Sequence, residues 1–163
     1  MLKKALISLR MTGALHALDN LPESKNKEDF AIALLQAECE YRKQKALERG
    51  LRMAAFPIDK AWDEIDPALN PDIDFKSVQI LGNGEFVHRK ENLCLMGTQG
   101  TGKSHSLIAL GRQLCEEGFS VKFYTACALV NALEEAKAEN QLNKLMKTIL
   151  KPQLLIIDDC DSE

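Results

Sequence analysis

The sequence predicts an α/β fold, a parallel sheet with crossover helices, behind a helical N-terminal region. Three observations carry this. From Glu91 onward, short apolar runs alternate with amphipathic helical segments, the grammar of strand–helix–strand units. The stretch LMGTQGTGKSHSL, Leu95 to Leu107, sets glycines, a lysine and a hydroxyl residue at one run-to-helix boundary. Leu154 to Asp159, LLIIDD, is an apolar run closed by two aspartates.

Each element has its own signal. Leu2, Leu6, Leu9, Leu15 and Leu18 recur at helical spacing, and Gly13 interrupts them, so one weak helix or two short ones are expected, broken at Leu21-Pro22. Asn26 with Asp29 three residues on reads as an N-cap signal for a long helix. Its apolar face is Phe30, Leu34, Ala37, Tyr41, Leu47 and Leu51, and Gly50 is expected to end or loosen it. Phe56 to Pro71 holds three of the five prolines with Asp59, Asp63, Glu64 and Asp66, and reads as a connector with at most one helical turn around Trp62. Phe75–Leu81 predicts a short helix closed by Gly82-Asn83-Gly84.

The second half follows the alternating pattern. Asn92–Met96 is the first predicted strand and Lys103–Glu117 the first helix, with Leu107, Leu110 and Leu114 on one face and Gly118 as its stop. Val121–Tyr124 is the second strand, followed by helices over Ala128–Ala138 and Leu142–Leu150, and Leu154–Ile157 is the third.

Bulk properties exclude several classes. At 163 residues, with 45% hydrophobic and 28% charged, the chain has about one domain's worth of ordinary globular sequence. A formal net charge of −3 gives no global attraction to a polyanion. The five cysteines, Cys39, Cys94, Cys115, Cys127 and Cys160, form no C-x-x-C pair and read as free, mostly buried thiols in a reducing compartment. With three histidines, none near a cysteine pair, the sequence does not read as a zinc site. No apolar run approaches the roughly 20 residues of a membrane helix, so no membrane association and a cytoplasmic location are expected.

Gly97-Thr98-Gln99-Gly100-Thr101-Gly102-Lys103-Ser104 fits G-x-x-x-x-G-K-[ST] at every fixed position. The spacing serves one chemistry. Backbone N–H groups wrap phosphate oxygens, and glycine permits the turn and the close approach. The following helix points its positive end at the anion. Lys103 reaches the β and γ phosphates, and the Ser104 hydroxyl binds Mg²⁺. The plainer alternative is a glycine-rich strand-to-helix turn with an accidental lysine. In Leu154–Asp159, a buried parallel strand carries Asp158 to the C-terminal edge of the sheet, where it is placed to hold Mg²⁺. Asp159 stands where many ATPases have a glutamate that polarises water. The alternative there is a strand ending in a solvated acidic tail.

The two motifs and the order of elements resemble the IstB-type transposition helper ATPases and their relatives, the DnaC-type helicase loaders. The similarity runs along essentially the whole chain, in LISLRMTGALHAL, FAIALLQAECEYR, EFVHRKENLCLMGTQGTGKSHSLIALG, VKFYTACALVNALEEA and LLIIDD. His105 after the loop serine and the aspartate pair are marked features of that family. The resemblance implies a P-loop NTPase of the AAA+ type, with residues 1–56 as a helical N-terminal region, 57–84 as a connector and 85–163 as a partial ATP-binding domain. It implies ATP and Mg²⁺ as cofactors, with His105 beside the loop, Lys103 and Asp159 as catalytic residues, and Ser104 and Asp158 as metal ligands. It also implies DNA, a transposase and further copies of the same chain as partners.

Departures accompany it. Ser106 stands where the family usually has leucine, and Cys160-Asp161 replaces a hydrophobic residue and glycine. A sensor strand, an arginine finger and later elements implied by the resemblance do not follow. Their absence leads us to expect a truncated product with unpaired sheet edges, binding nucleotide weakly and hydrolysing ATP only if the missing elements are supplied. A helicase loader and a non-catalytic remnant are the alternatives. Arg42, Lys43, Lys45, Arg49 and Arg52, with Glu48 the one acid in that span, form a basic cluster that suits DNA phosphates or simply a solvated helix face. Trp62, His16 and His88 read as packing or surface residues.

Overall fold

The computed structural model describes residues 1–21, 26–65 and 74–159, which divide into two compact units, Met1–Glu48 and Arg49–Glu163. The expectations placed on Pro22, on Asp66, Pro67 and Pro71, and on Cys160 with the acidic tail lie outside the described residues.

The first unit holds α1 (Leu2–Ser8), α2 (Thr12–Ala17) and most of α3 (Lys27–Ala54). Two short helices form, but the break is not at Gly13. The chain turns at Arg10, whose φ is 54°, and Gly13 lies inside α2. A Cβ at Gly13 would overlap Tyr41 and lie 2.8 Å from the Ala37 carbonyl oxygen, so glycine serves the close approach of two helices. Leu6, Ala14 and Leu34 form the core of this unit, with Met11, Leu15 and Leu18 against it. His16 packs edge-on to Tyr41 at 5.6 Å between ring centroids, a packing role as expected. At the start of α3, Asn26 Oδ1 accepts from the Glu28 N–H at 3.1 Å.

Glu38 is the polar anchor of this unit and was invisible in the sequence pattern. It is buried on the apolar face of α3, and its Oε2 accepts from the Ala14 N–H at 3.0 Å. The first N–H groups of a helix lack intrahelical partners, and its positive end favours an anion, so a carboxylate from α3 caps α2. Arg42 Nε donates to Oε1 at 2.6 Å. Burial opposes ionisation of Glu38, but the Ala14 N–H, Arg42 and the Gly13 N–H together hold its pKa below the ordinary 4.5.

In the second unit α3 passes Gly50 without a break and ends at Ala54, which corrects the expected interruption. Gly50 keeps its helical place, open enough that a Cβ there would sit 3.9 Å from Cys115 Cβ. A 3₁₀ turn follows over Trp62–Glu64, at the place where a helical turn around Trp62 was expected. Trp62 Nε1 donates to Gln113 Oε1 at 2.7 Å, and the Gln113 side chain fills the space over Gly82. Arg112 pairs with Asp59 and with Glu116. Next come α4 (Phe75–Ile80), a 3₁₀ turn over Leu81–Asn83 and α5 (Glu85–His88), the last not foreseen. His88 packs against Phe119, with centroids 5.1 Å apart.

The α/β part comprises α6 (Lys103–Glu116), β1 (Val121–Thr125), α7 (Ala126–Ala138), α8 (Leu142–Ile149) and β2 (Leu154–Asp158). The strands pair in parallel, with Val121 opposite Leu154 and Thr125 opposite Asp158. The buried side chains of α6 include Ile108, Leu110 and Leu114, and Phe123 and Ile156 bury theirs on the sheet. Gly111 lies where a Cβ would crowd Ile156 and Phe56. After α6, Gly118 turns the chain, and the Phe119 N–H donates to the Leu114 carbonyl at 2.9 Å.

Two expectations are corrected. The sheet has two strands among the described residues, because Asn92–Met96 joins no ladder. That segment keeps a strand-like alternation, with Leu93 and Leu95 half-buried and Cys94 and Met96 exposed. It is separated from β2 by a cavity of about 420 Å³ lined by both, so its backbone finds no partner to pair with. The thiols also differ from the expected pattern: Cys115 is buried, Cys39 and Cys94 are exposed, and Cys127 is disulfide-bonded. Burial, more than the nearby Glu116 charge, pushes the Cys115 thiol up to about 11.

A depressed folded-state pKa at Glu38 adds stability that is present above the unfolded value and is lost as pH falls through the folded one. Glu38→Gln is expected to flatten this acid dependence. Above pH 5 it is expected to weaken protection of the Ala14 amide by about 1.5–3 kcal/mol, the range for a hydrogen bond to a charged group. Hydrogen exchange of α2 amides across pH checks both, and equal pH profiles for the two proteins would refute the capping role.

Candidate functional site

The loop after Met96 is shaped by left-handed backbone. Gly100 and Gly102 have φ of 80° and 85°, a region costly for other L-residues. A Cβ at Gly100 would meet nothing within 4 Å, so backbone conformation rather than space demands glycine there. Gly102 is the N-cap of α6, and its carbonyl accepts from both the Ser106 N–H and the Ser106 Oγ, each at 2.9 Å. That accounts for a serine where leucine is usual, since a fully buried hydroxyl here closes on the first helical carbonyl.

Within the loop, Thr101 Oγ1 donates to the Thr98 carbonyl at 2.8 Å. Lys103 Nζ donates to the carbonyls of Gly97 at 3.0 Å and Thr98 at 2.8 Å. The lysine thus lies folded over its own loop, held by neutral acceptors.

A pocket of about 460 Å³ gathers most of the expected residues: Gly97, Gln99, Gly100, Gly102, Lys103, Ser104, His105, Asp158 and Asp159. Thr98 and Thr101 stiffen the loop through their mutual bond instead of lining the pocket. Asp158 arrives at the C-terminal end of β2, in register with Thr125, whose hydroxyl caps α7 by accepting from the Ala128 N–H at 3.2 Å. The pocket is therefore lined by the glycine-rich loop with Lys103 and, at the strand end, by two acidic residues. That charge arrangement suits an anion with a hard cation between. Sequence reasoning missed Ile58, which also lines the pocket from the segment read as connector. No motif marks it, and its placement depends on the path of the chain after α3. The basic cluster on α3 is exposed, with Arg42 paired to Glu38 and Lys45 Nζ 2.7 Å from Glu48.

A glycine-rich loop opening a helix, opposite an acidic strand end in a parallel sheet, defines the P-loop NTPase class. Comparison with known proteins narrows this. The chain belongs to the IstB-like ATP binding protein family, whose sequence profile matches residues 3–162. It is 32% identical over 131 residues to a protein of insertion sequence IS5376 from Geobacillus stearothermophilus named for ATP binding; the match covers 80% of this chain and 52% of that protein. A protein of IS21 from Pseudomonas aeruginosa, also named for ATP binding, is 35% identical over 134 residues, covering 82% and 51%. A similar protein of IS232 from Bacillus thuringiensis subsp. berliner is 30% identical over 128 residues, covering 78% and 51%. The chain thus spans about half the length of these relatives.

Because the strain at Gly100 is conformational, Gly100→Ala is expected to lower stability by about 1–2 kcal/mol. Gly100→Asn, which visits the left-handed region more readily, is expected to lower it less. Denaturant midpoints of the two variants check this; equal losses, or none, would show that the loop does not hold this backbone.

Proposed function

We propose that the pocket binds ATP with Mg²⁺ and that the chain works in DNA transposition. One observation supports this above others: the loop glycines, Lys103, Ser104 and the Asp158–Asp159 pair, far apart in sequence, line a single pocket. Lys103 would leave the carbonyls of Gly97 and Thr98 for the β and γ phosphates, exchanging neutral partners for charge-assisted ones. The donors available for the cation are a hydroxyl and carboxylates, hard oxygen ligands that suit Mg²⁺ completed by phosphate oxygens and water. In this reading Ser104 and Asp158 hold the ion, Lys103 neutralises phosphate charge, and Asp159 orients water for ATP hydrolysis.

The names of the relatives, all from insertion sequences, favour transposition over helicase loading and point to a transposase as partner. The exposed basic residues of α3 are the surface we assign to DNA phosphates, and several copies would assemble along it. Among the described residues no helix is long and apolar enough to cross a membrane.

Calorimetric titration of the purified chain is expected to show ATP binding that is strengthened by Mg²⁺ and reduced by chelation. Lys103→Ala is expected to weaken it by about tenfold or more, the loss of one charge-assisted contact. Asp158→Asn is expected to remove most of the Mg²⁺ dependence while retaining metal-free binding. Affinity indifferent to both variants would refute the assignment.

A further inference from the structure

We propose that residues 56–62 form a strap held back from the loop by the Asp59–Arg112 ion pair, and that the strap closes on the pocket when nucleotide fills it. The inference rests on the nucleotide reading above and adds to it a control on affinity built into the connector.

The strap is fixed at both ends and loose between them. At one end Phe56 packs edge-on to Phe123, with ring centroids 6.0 Å apart, and its ring fills space that a Cβ on Gly111 would need. At the other end Trp62 Nε1 donates to Gln113 Oε1 at 2.7 Å. Residues 56–61 belong to no helix or strand. Between the anchors, Ile58 borders the pocket and Asp59 pairs with Arg112.

That ion pair restrains the strap from the far half of α6. Arg112 lies nine residues beyond Lys103, which sets it roughly 14 Å along the helix from the loop. Asp59 is adjacent to Ile58, so a carboxylate drawn to Arg112 holds back an apolar side chain that is 51% exposed at the border of the pocket. The restraint is weak. The Asp59 side chain is 81% exposed, and an ion pair so open to water contributes little. Arg112 Nε also lies 3.4 Å from Glu116 Oε1, so the guanidinium keeps a partner when Asp59 leaves. A filled pocket reverses the balance. Ile58 moving onto a ligand removes its exposed part from water, and that gain outweighs the loss of one solvated ion pair. Because the pair favours the withdrawn strap, it lowers the population of the closed state and with it the affinity.

Calorimetric titration with ATP and Mg²⁺ tests this through two variants that break the same pair while changing charge in opposite directions. A direct electrostatic effect on an anionic ligand would tighten binding in Asp59→Asn and loosen it in Arg112→Gln. Release of the strap is expected to tighten both, each by about threefold, within the scale of one exposed ion pair. In an Ile58→Ala chain, where closure buries little apolar surface, Asp59→Asn is expected to have no effect. That cycle alters only exposed side chains and carries the test alone should Arg112→Gln not fold. Opposite shifts in the two variants, no shift, weaker binding in both, or the same Asp59→Asn effect with and without Ile58 would overturn the strap alone. Absence of ATP binding by the unaltered chain would overturn the nucleotide reading and this inference with it.

Discussion

The left-handed backbone at Gly100 and Gly102 is the constraint on which the rest of the site depends. It brings the loop into α6 with Gly102 as the N-cap, at the end of a helix where the first N–H groups lack intrahelical partners. Ser106 fastens the turn from below through the Gly102 carbonyl, and Thr101 fastens it from above through the Thr98 carbonyl. These two bonds tie the loop to itself and to the first turn of α6. Lys103 then rests on the carbonyls at the back of the loop, a position it can leave without uncovering a buried charge.

The carboxylate wall depends on a different part of the chain. β2 is held by its ladder to β1 and by the apolar side of α6, where Gly111 leaves room for Ile156 and Phe56. The same packing that buries Ile156 brings Asp158 to the strand end opposite Thr125. Hydrophobic burial thus fixes the position of a polar group several residues away, the general route by which open α/β sheets build ligand sites at their carboxyl ends. The first unit relies on the reverse arrangement. There a buried carboxylate, Glu38, organises an apolar helix pair by capping α2 from α3.

Much of this was legible in the sequence because the signals were local. The loop glycines, the stop at Gly118, the face of α3 and the run of Leu154–Asp158 each depend on neighbours a few residues apart. What was not legible depended on distant partners. Gly13 read as a helix breaker because its contact, Tyr41, is far along the chain, and Gly50 read as an end from its own weak propensity, which its helical neighbours outweigh. Asn92–Met96 has the composition of a strand, but a strand is defined by the backbone beside it, and across its cavity from β2 that pairing is not made. Glu38 shares the apolar face with Leu34 and Tyr41, but its partner, the Ala14 N–H, is far along the chain, so its charge alone reads as a surface residue. Ile58 falls in a proline-flanked stretch with no period at all, so only the folded path brings it to the loop.

The central claim is that main-chain N–H groups of residues 97–105 enclose the phosphates of a nucleotide. The most direct measurement is the amide spectrum of the isotope-labelled chain, recorded while ATP and Mg²⁺ are added. The account predicts large, saturable shifts at Gly100, Gly102, Lys103 and Ser104, fading with distance from the loop. Saturating nucleotide that leaves those amides where they were, or that moves only amides elsewhere in the chain, would contradict it.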